Sequence, residues 1–319
     1  MELIPVFLLF VLGLVFIIKG GDFFVDAASW IAEISGLPSF VIGATVVSIA
    51  TTLPELLVSL VSALNGQTGM AVGNVVGSVT ANTALILALS FVFSPCPVKR
   101  SEFTLKSVLM LSATVLLFVL SLSGELKVLP AMLLFVVLAV FVWENISSAK
   151  KEKGGAPQEK RRVSGKKEIA VNLLKFVLGA AGIILGAELL VDNGTIIAEK
   201  MNVPETIVGV VMLGLGTSLP ELVTAITALA KKQGSLSRGN IIGANIIDMT
   251  LLLPLCSAVS MGSLAVSRQA LVLDFPVCIA AIFVAVVPTL IFGKTQRWQG
   301  IALIAFYLVY LITLAIFFI

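Results

Sequence analysis

Residues 50–55 read A-T-T-L-P-E, and residues 216–221 read G-T-S-L-P-E. Each phrase lies inside a long apolar stretch and ends in a glutamate, Glu55 or Glu221. The offset between them is 166 residues (221 minus 55). Without a gap, the same offset lays G-N-V-V-G (73–77) on G-N-I-I-G (239–243), Asp26 on Asp192, Glu33 on Glu199 and Pro38 on Pro204. The chain is an internal duplication, and each copy carries a carboxylate in the middle of an apolar segment. Paired acids in duplicated, interrupted segments point to a site for ions inside a membrane.

Composition agrees. The 319 residues are 58 % hydrophobic and 12 % charged, with a mean hydropathy of +1.10. A soluble chain carries about twice that share of charge. Runs such as 4–18, 108–122 and 301–319 approach the ~20 apolar residues that cross a bilayer core. The start, residues 1–5, lacks a basic n-region and reads as part of a retained first span. There is no histidine, which removes imidazole chemistry. Cys96, Cys256 and Cys278 lack metal-type spacing and read as small apolar fillers.

Turn and charge clusters divide the chain into ten spans, at about 3–34, 38–64, 70–93, 103–122, 127–146, 168–199, 204–230, 236–260, 266–291 and 298–318. The one sizeable polar segment, 149–168, separates a first repeat (1–148) from a second (169–319). Its Lys, Glu, Gly and Pro content reads as a solvated linker rather than a nucleic-acid or lipid-binding patch. With that basic linker on the cytoplasmic side and the spans alternating, 18 of the 21 Lys and Arg fall on that side. Only Lys127, Lys200 and Arg268 fall opposite. This positive-inside bias places both termini outside the cytoplasm. A five-span repeat re-enters the membrane upside down, so the copies are inverted about an axis in the membrane plane. The expected fold is all-α, with ten transmembrane helices in two inverted repeats, broken at the midplane. Glu55 and Glu221 are expected to meet near the axis.

Pro54 and Pro220 sit within apolar spans. A mid-helix proline donates no hydrogen bond and displaces the carbonyl four residues back. That predicts freed carbonyls at Ala50 and Gly216 and loosened ones at Thr51 and Thr217. Thr51 and Glu55 are four apart, as are Thr217 and Glu221, which places each pair on one helical face. Behind the glycine segments, Ser78 and Asn82 are four apart, as are Ala244 and Asp248. Glu55, Glu221 and Asp248 would each cost roughly 2.5–3.5 kcal/mol at mid-membrane, with no nearby Lys or Arg to neutralise them. Hard oxygens alone suit Ca²⁺, whose charge two glutamates balance, and spread over subsites they could hold Na⁺. The lack of soft ligands argues against copper or zinc. Asp22, Asp26, Glu33, Glu188, Asp192 and Glu199 lie nearer span ends and read as solvated at the interface.

The two phrases, each followed by its G-N-x-x-G segment, resemble the α1 and α2 repeats of the sodium/calcium exchanger family of the calcium/cation antiporter superfamily. The likeness is to short prokaryotic members and covers essentially the whole chain. It implies four cation subsites in a diamond. Glu55 and Glu221 would be the Ca²⁺ carboxylates, with backbone oxygens of Thr51 and Thr217. Side chains of Thr52, Ser78 and Ser218 would serve flanking Na⁺ subsites, with backbone oxygens near Ser48 and Gly214. Asn82 and Asp248 would close the middle. The first spans of the two halves would slide across the other eight. The implied activity is Ca²⁺ extrusion in exchange for Na⁺, with those ions and membrane lipid as partners. No cofactor, nucleic acid or obligatory protein partner is implied.

Two positions depart from the family pattern. Thr52 stands where serine is usual, which keeps the hydroxyl. Ala244 stands where the pattern has serine and where the first repeat keeps Ser78. That loss opens Ca²⁺/H⁺ exchange as the alternative, although the G-N-A-x-E phrases of proton-coupled members are missing. An intramembrane enzyme is a remote alternative, since no histidine, D-D-x-x-D or G-x-G-D is found.

Overall fold

Backbone groups in hydrocarbon must bond within their own segment, so each long apolar run forms a helix. The computed structural model describes residues 3–154, 165–201, 216–260 and 262–317. The first repeat comprises α1 (Leu3–Ser35), α2 (Ser39–Thr51), α3 (Leu53–Leu64), α4 (Thr68–Phe93), α5 (Arg100–Ser121) and α6 (Val128–Gly154). The second comprises α7 (Lys166–Lys200), α8 (Leu219–Ala230), α9 (Gly234–Val259), α10 (Ala270–Phe292) and α11 (Arg297–Phe317). Eight of these are long and apolar enough to cross a membrane, and α2 with α3 forms a ninth, broken span. Of the expected span 204–230, α8 is described, and the preceding residues to 215 lie outside the described residues.

The inverted pairing is visible in side-chain-free contacts. α1 and α7 pack on each other where Gly13 meets Gly186 and Gly20 meets Gly179. A Cβ on Gly20 would lie 2.9 Å from the Gly179 carbonyl, and one on Gly186 would lie 2.8 Å from the Gly13 carbonyl. Adding 166 to 13 and 20 gives 179 and 186, so the contact maps onto itself. Small residues allow this approach, the usual means of helix association in lipid. The pair then seats Phe24, Val25, Ala28 and Ile183 on Ile42 and Val47 of α2 and Ala228 of α8. The two remaining apolar clusters surround the middle helices. One joins α4, α5, α6, α9 and α10, and the other joins the far end of α4 to α10 and α11. α4 and α9 are accordingly the most enclosed spans.

Four stretches have widened π-turns: Gly43–Val47, Asn82–Leu87, Asp248–Leu252 and Ala270–Asp274. Such turns free backbone groups and often mark functional sites. Two of them start at Asn82 and Asp248, which are equivalent positions in the repeats.

Three features differ from the sequence reading or lie beyond it. First, Pro54 does not sit mid-helix. The helix stops at Thr52, turns by 44° and restarts at Leu53. Pro54 is in the first turn of α3, where a missing N–H costs nothing. Pro220 likewise opens α8. Second, two short strands, β1 (Glu125–Lys127) and β2 (Ser263–Ala265), pair antiparallel with Leu126 opposite Leu264. Both leucines are buried, while Lys127 and Ala265 on either side of them are exposed, the period-two pattern of a strand. At the other end of the molecule Pro97 bridges Lys294, one residue from the position that symmetry requires. Third, the two helix stops, on which the sequence reading was silent, use different residues. Gly66 takes a positive φ of 78° after α3, whereas its equivalent Lys232 takes φ 61° after α8. The wrapping bonds are the same, Gln67 N–H to the Ser62 carbonyl at 2.8 Å and Gln233 N–H to the Ala228 carbonyl at 2.7 Å.

Candidate functional site

The breaks at Thr52 and Thr217–Ser218 deliver the two glutamates to the centre of the bundle. Glu55 and Glu221 are 0 % and 1 % exposed. None of their four carboxylate oxygens has a hydrogen-bond partner. Glu55 is close enough to Glu221 and Asp248 to interact electrostatically with both, and Glu221 interacts with Asp248. Among the described ion pairs none involves these acids. Two carboxyl groups without partners and a third, Asp248, with one unpartnered oxygen repel one another when charged in a low-dielectric interior, and a cation between them removes that cost. No group of three or more acidic, cysteine or histidine side chains among the described residues closes into one ligand cluster. A bound cation would therefore complete its shell from neutral oxygens.

Those oxygens are present. Ser48, Thr51, Thr52, Ser78, Asn82 and Ser218 are all buried, Thr217 is half-buried, and the third acid, Asp248, is buried as well. Gly214 lies outside the described residues. Backbone bonds flank the break, from Thr52 N–H to the Ser48 carbonyl at 2.9 Å and from Leu56 N–H to the Thr52 carbonyl at 3.0 Å. Pro54 has no N–H to give to the Ala50 carbonyl four residues back. The Ser48 carbonyl, by contrast, is already engaged.

Some hydroxyls also pair across the pseudo-two-fold axis, beside own-helix contacts such as Thr51 Oγ1 to the Ser48 carbonyl at 3.4 Å. Thr51 Oγ1 donates to Asn240 Oδ1 at 3.2 Å, and Thr217 Oγ1 donates to Asn74 Oδ1 at 3.3 Å. Both residues of each pair differ by 166 from those of the other. The helical-face argument placed Thr51 with Glu55. The break rotates it away, and its hydroxyl lies beside Glu221 instead. Ser78 lies beside Glu55 and shares a 3.0 Å hydrogen bond with Ser218. Asn82 Nδ2 donates a long 3.5 Å bond to Ser78.

The mate of the Ser78–Ser218 bond would join Ala244 to Thr52. Ala244 has no hydroxyl, and Thr52 Oγ1 is buried without a partner. Asn74 and Asn240 were missed as site residues by the sequence reading. Their signal was the asparagine repeated in both glycine segments, which the sequence reading used to align the repeats without giving it a role.

An inverted-repeat membrane fold with orphaned carboxyl groups at the crossing of its broken helices defines a secondary active ion carrier. The chain belongs to the sodium/calcium exchanger protein family, whose model matches residues 5–146 and 171–316. It is 32 % identical to the sodium/calcium exchanger MaX1 of Methanosarcina acetivorans, over 97 % of this chain and 98 % of that one. It is also 32 % identical to the inner membrane protein YrbG of Escherichia coli, over 82 % of this chain and 83 % of that one. Among solved structures it is similar to the sodium-calcium exchanger NCX_Mj, soaked with Na⁺ and Sr²⁺. The TM-score is 0.82 at 28 % identity, covering 98 % of this chain and 99 % of that one.

Proposed function

We propose that this multi-pass secondary active Na⁺/Ca²⁺ antiporter carries both ions through the one central site. Glu55 and Glu221 hold Ca²⁺ between them with the carbonyls of Thr51 and Thr217. Ser78, Ser218 and Thr52 serve Na⁺ beside that position, with backbone oxygens near Ser48 and Gly214. Asn82 and Asp248 line the middle, where the π-turns begin. The observation that carries the reading is the pair of fully buried, partnerless glutamates related by the repeat. Two carboxylates neutralise one Ca²⁺, and Na⁺ competes for the same charge.

Access would alternate as the α1–α7 pair moves over α2 and α8, a contact made of apolar side chains and glycine with the Lys231 ion pairs to Asp22 and Asp26 at one end. In this conformer Gly73 is exposed and Asn74, Gly77 and Thr217 are half-buried, while Gly239, Asn240 and Gly243 are buried. Gly73 and Asn74 lie in the half of α4 nearer the end that bears β1 and β2. The charge bias supports calling that end extracytoplasmic, with segment 149–168 in the cytoplasm between the two five-span repeats and both termini outside.

Uptake of ⁴⁵Ca²⁺ by vesicles under an imposed Na⁺ or pH gradient tests the coupling. Stimulation by an outward Na⁺ gradient supports the assignment. Because Ala244 leaves Thr52 unpaired, a response to a pH gradient alone would replace Na⁺ with H⁺ as counter-ion.

A further inference from the structure

We propose that Asn74 and Asn240 are positioning residues of the transport site, each bracing the broken helix of the opposite repeat. The inference rests on the site proposed above. A threonine hydroxyl has one proton. Thr51 Oγ1 lies 3.2 Å from Asn240 Oδ1 and 3.4 Å from the Ser48 carbonyl of its own helix, the shorter contact being the one that crosses the repeats, and Thr217 Oγ1 lies 3.3 Å from Asn74 Oδ1. A hydroxyl whose proton points at an asparagine keeps its lone pairs for a cation, so each brace fixes how its threonine, and the kinked backbone that carries it, is turned. Both braces cross from one repeat to the other. Each kink is therefore referenced to the enclosed helix of the other half, α9 or α4, rather than to its own.

The two braces are unequal. Asn74 is itself held, since its Nδ2 donates to Ser59 Oγ at 3.0 Å. The residue equivalent to Ser59 is Ala225 (59 plus 166). Asn240 Nδ2 is accordingly buried without a partner, a loss that destabilises its bracing orientation. The first asparagine is anchored at both ends of its amide and the second at one. A serine at position 225 would supply the missing acceptor.

The test is a double-mutant cycle on Ca²⁺ binding, read by the Ca²⁺ concentration that gives half of the thermal stabilisation of the detergent-purified protein. This readout needs no flux. Thr51→Val and Asn240→Ala are each expected to weaken Ca²⁺ about five- to thirtyfold, as for loss of a buried hydrogen bond. The double variant should be no weaker than the worse single one. Ala225→Ser should tighten Ca²⁺ by about two- to fivefold. Asn240→Ala with a wild-type Ca²⁺ midpoint overturns the proposal, as does a double variant whose loss is the product of the singles. A lower melting temperature without Ca²⁺ and an unchanged midpoint would mark a purely structural role and also overturns it. If Asn240→Ala does not fold, Thr51→Val decides alone, since a wild-type midpoint there removes the brace. Wild-type protein that binds Ca²⁺ but shows no exchange would sink the antiport reading and leave this cycle interpretable.

Discussion

The two G-N-x-x-G helices carry one motif in two environments. In α9, Gly239, Asn240 and Gly243 are buried against α2, and a Cβ on Gly243 would lie 2.5 Å from the Ala44 carbonyl. In α4, Gly73 is exposed and Asn74 half-buried. Had the repeats identical sequence, the two ends could exchange these roles at no cost, and neither access state would be favoured. The sequence is not symmetric. The second repeat has Ala225 for Ser59, Ala244 for Ser78 and Lys231 for Asn65. Lys231 pairs with Asp26 at 2.7 Å and Asp22 at 3.2 Å, tying α8 to α1 at the buried end. Asn65 offers no such cation to Glu188 or Asp192. The comparison teaches that the repeats share the paired acids and the crossed threonine–asparagine bonds and differ in the contacts around their helix ends.

What the repeats share should break hardest. Glu55→Gln and Glu221→Gln are each expected to abolish Ca²⁺ exchange at equal expression, because either change leaves one carboxylate against a divalent ion. Near-normal ⁴⁵Ca²⁺ flux in either variant would remove both glutamates from the site. The next effect is one of packing. Gly243→Ala forces α9 away from α2 at a backbone-to-backbone contact, and is expected to cost about 1–3 kcal/mol. Denaturation of the purified protein measures it, and an unchanged midpoint would show that the crossing is looser than the geometry indicates.

Much of this was legible because the chain states it twice. The ungapped offset gave the repeats, their inversion and the meeting of Glu55 with Glu221. The departures have physical causes that one-dimensional spacing does not carry. Thr51 and Glu55 are four apart, but the helix that would put them on one face ends between them. The crossed threonine–asparagine bonds join residues 189 and 143 apart in sequence, and a within-phrase reading has no means of pairing them. The β1–β2 ribbon is three residues long per strand, too short for alternation to register. Asp22 and Asp26 were read as solvated acids, and they do lie toward a span end, but their partner Lys231 comes from the other repeat.

A smaller effect sharpens the comparison at the helix stops. Lys232 holds the left-handed conformation that Gly66 holds in the first repeat. A side chain there costs about 1 kcal/mol. Lys232→Gly is expected to raise stability by up to about that amount, while Gly66→Ala lowers it. Equal and opposite shifts in melting temperature would confirm that the two stops are one motif with different residues.

The finest difference is the missing hydroxyl. Ser78 and Ser218 hydrogen-bond across the axis at 3.0 Å, and symmetry asks for the same bond between position 244 and Thr52. Alanine leaves the buried Thr52 hydroxyl alone. Ala244→Ser restores an oxygen beside Thr52 and does not touch the glutamates or the threonine carbonyls. Ca²⁺ draws mainly on charge and should change little. Na⁺ has half the charge and gains more from each neutral oxygen. The expected outcome is therefore a roughly two- to fivefold gain in apparent Na⁺ affinity, about 0.4–1 kcal/mol, or a steeper Na⁺ dependence of Ca²⁺ flux at fixed pH. The structure adds a second readout. If the restored serine bonds Thr52, then Thr52→Val should cancel the gain in the Ala244→Ser background while changing the parent much less. A gain that survives Thr52→Val would mean that the hydroxyl at 244 acts elsewhere, and the two flanks of the site would no longer be mirror images with one oxygen missing.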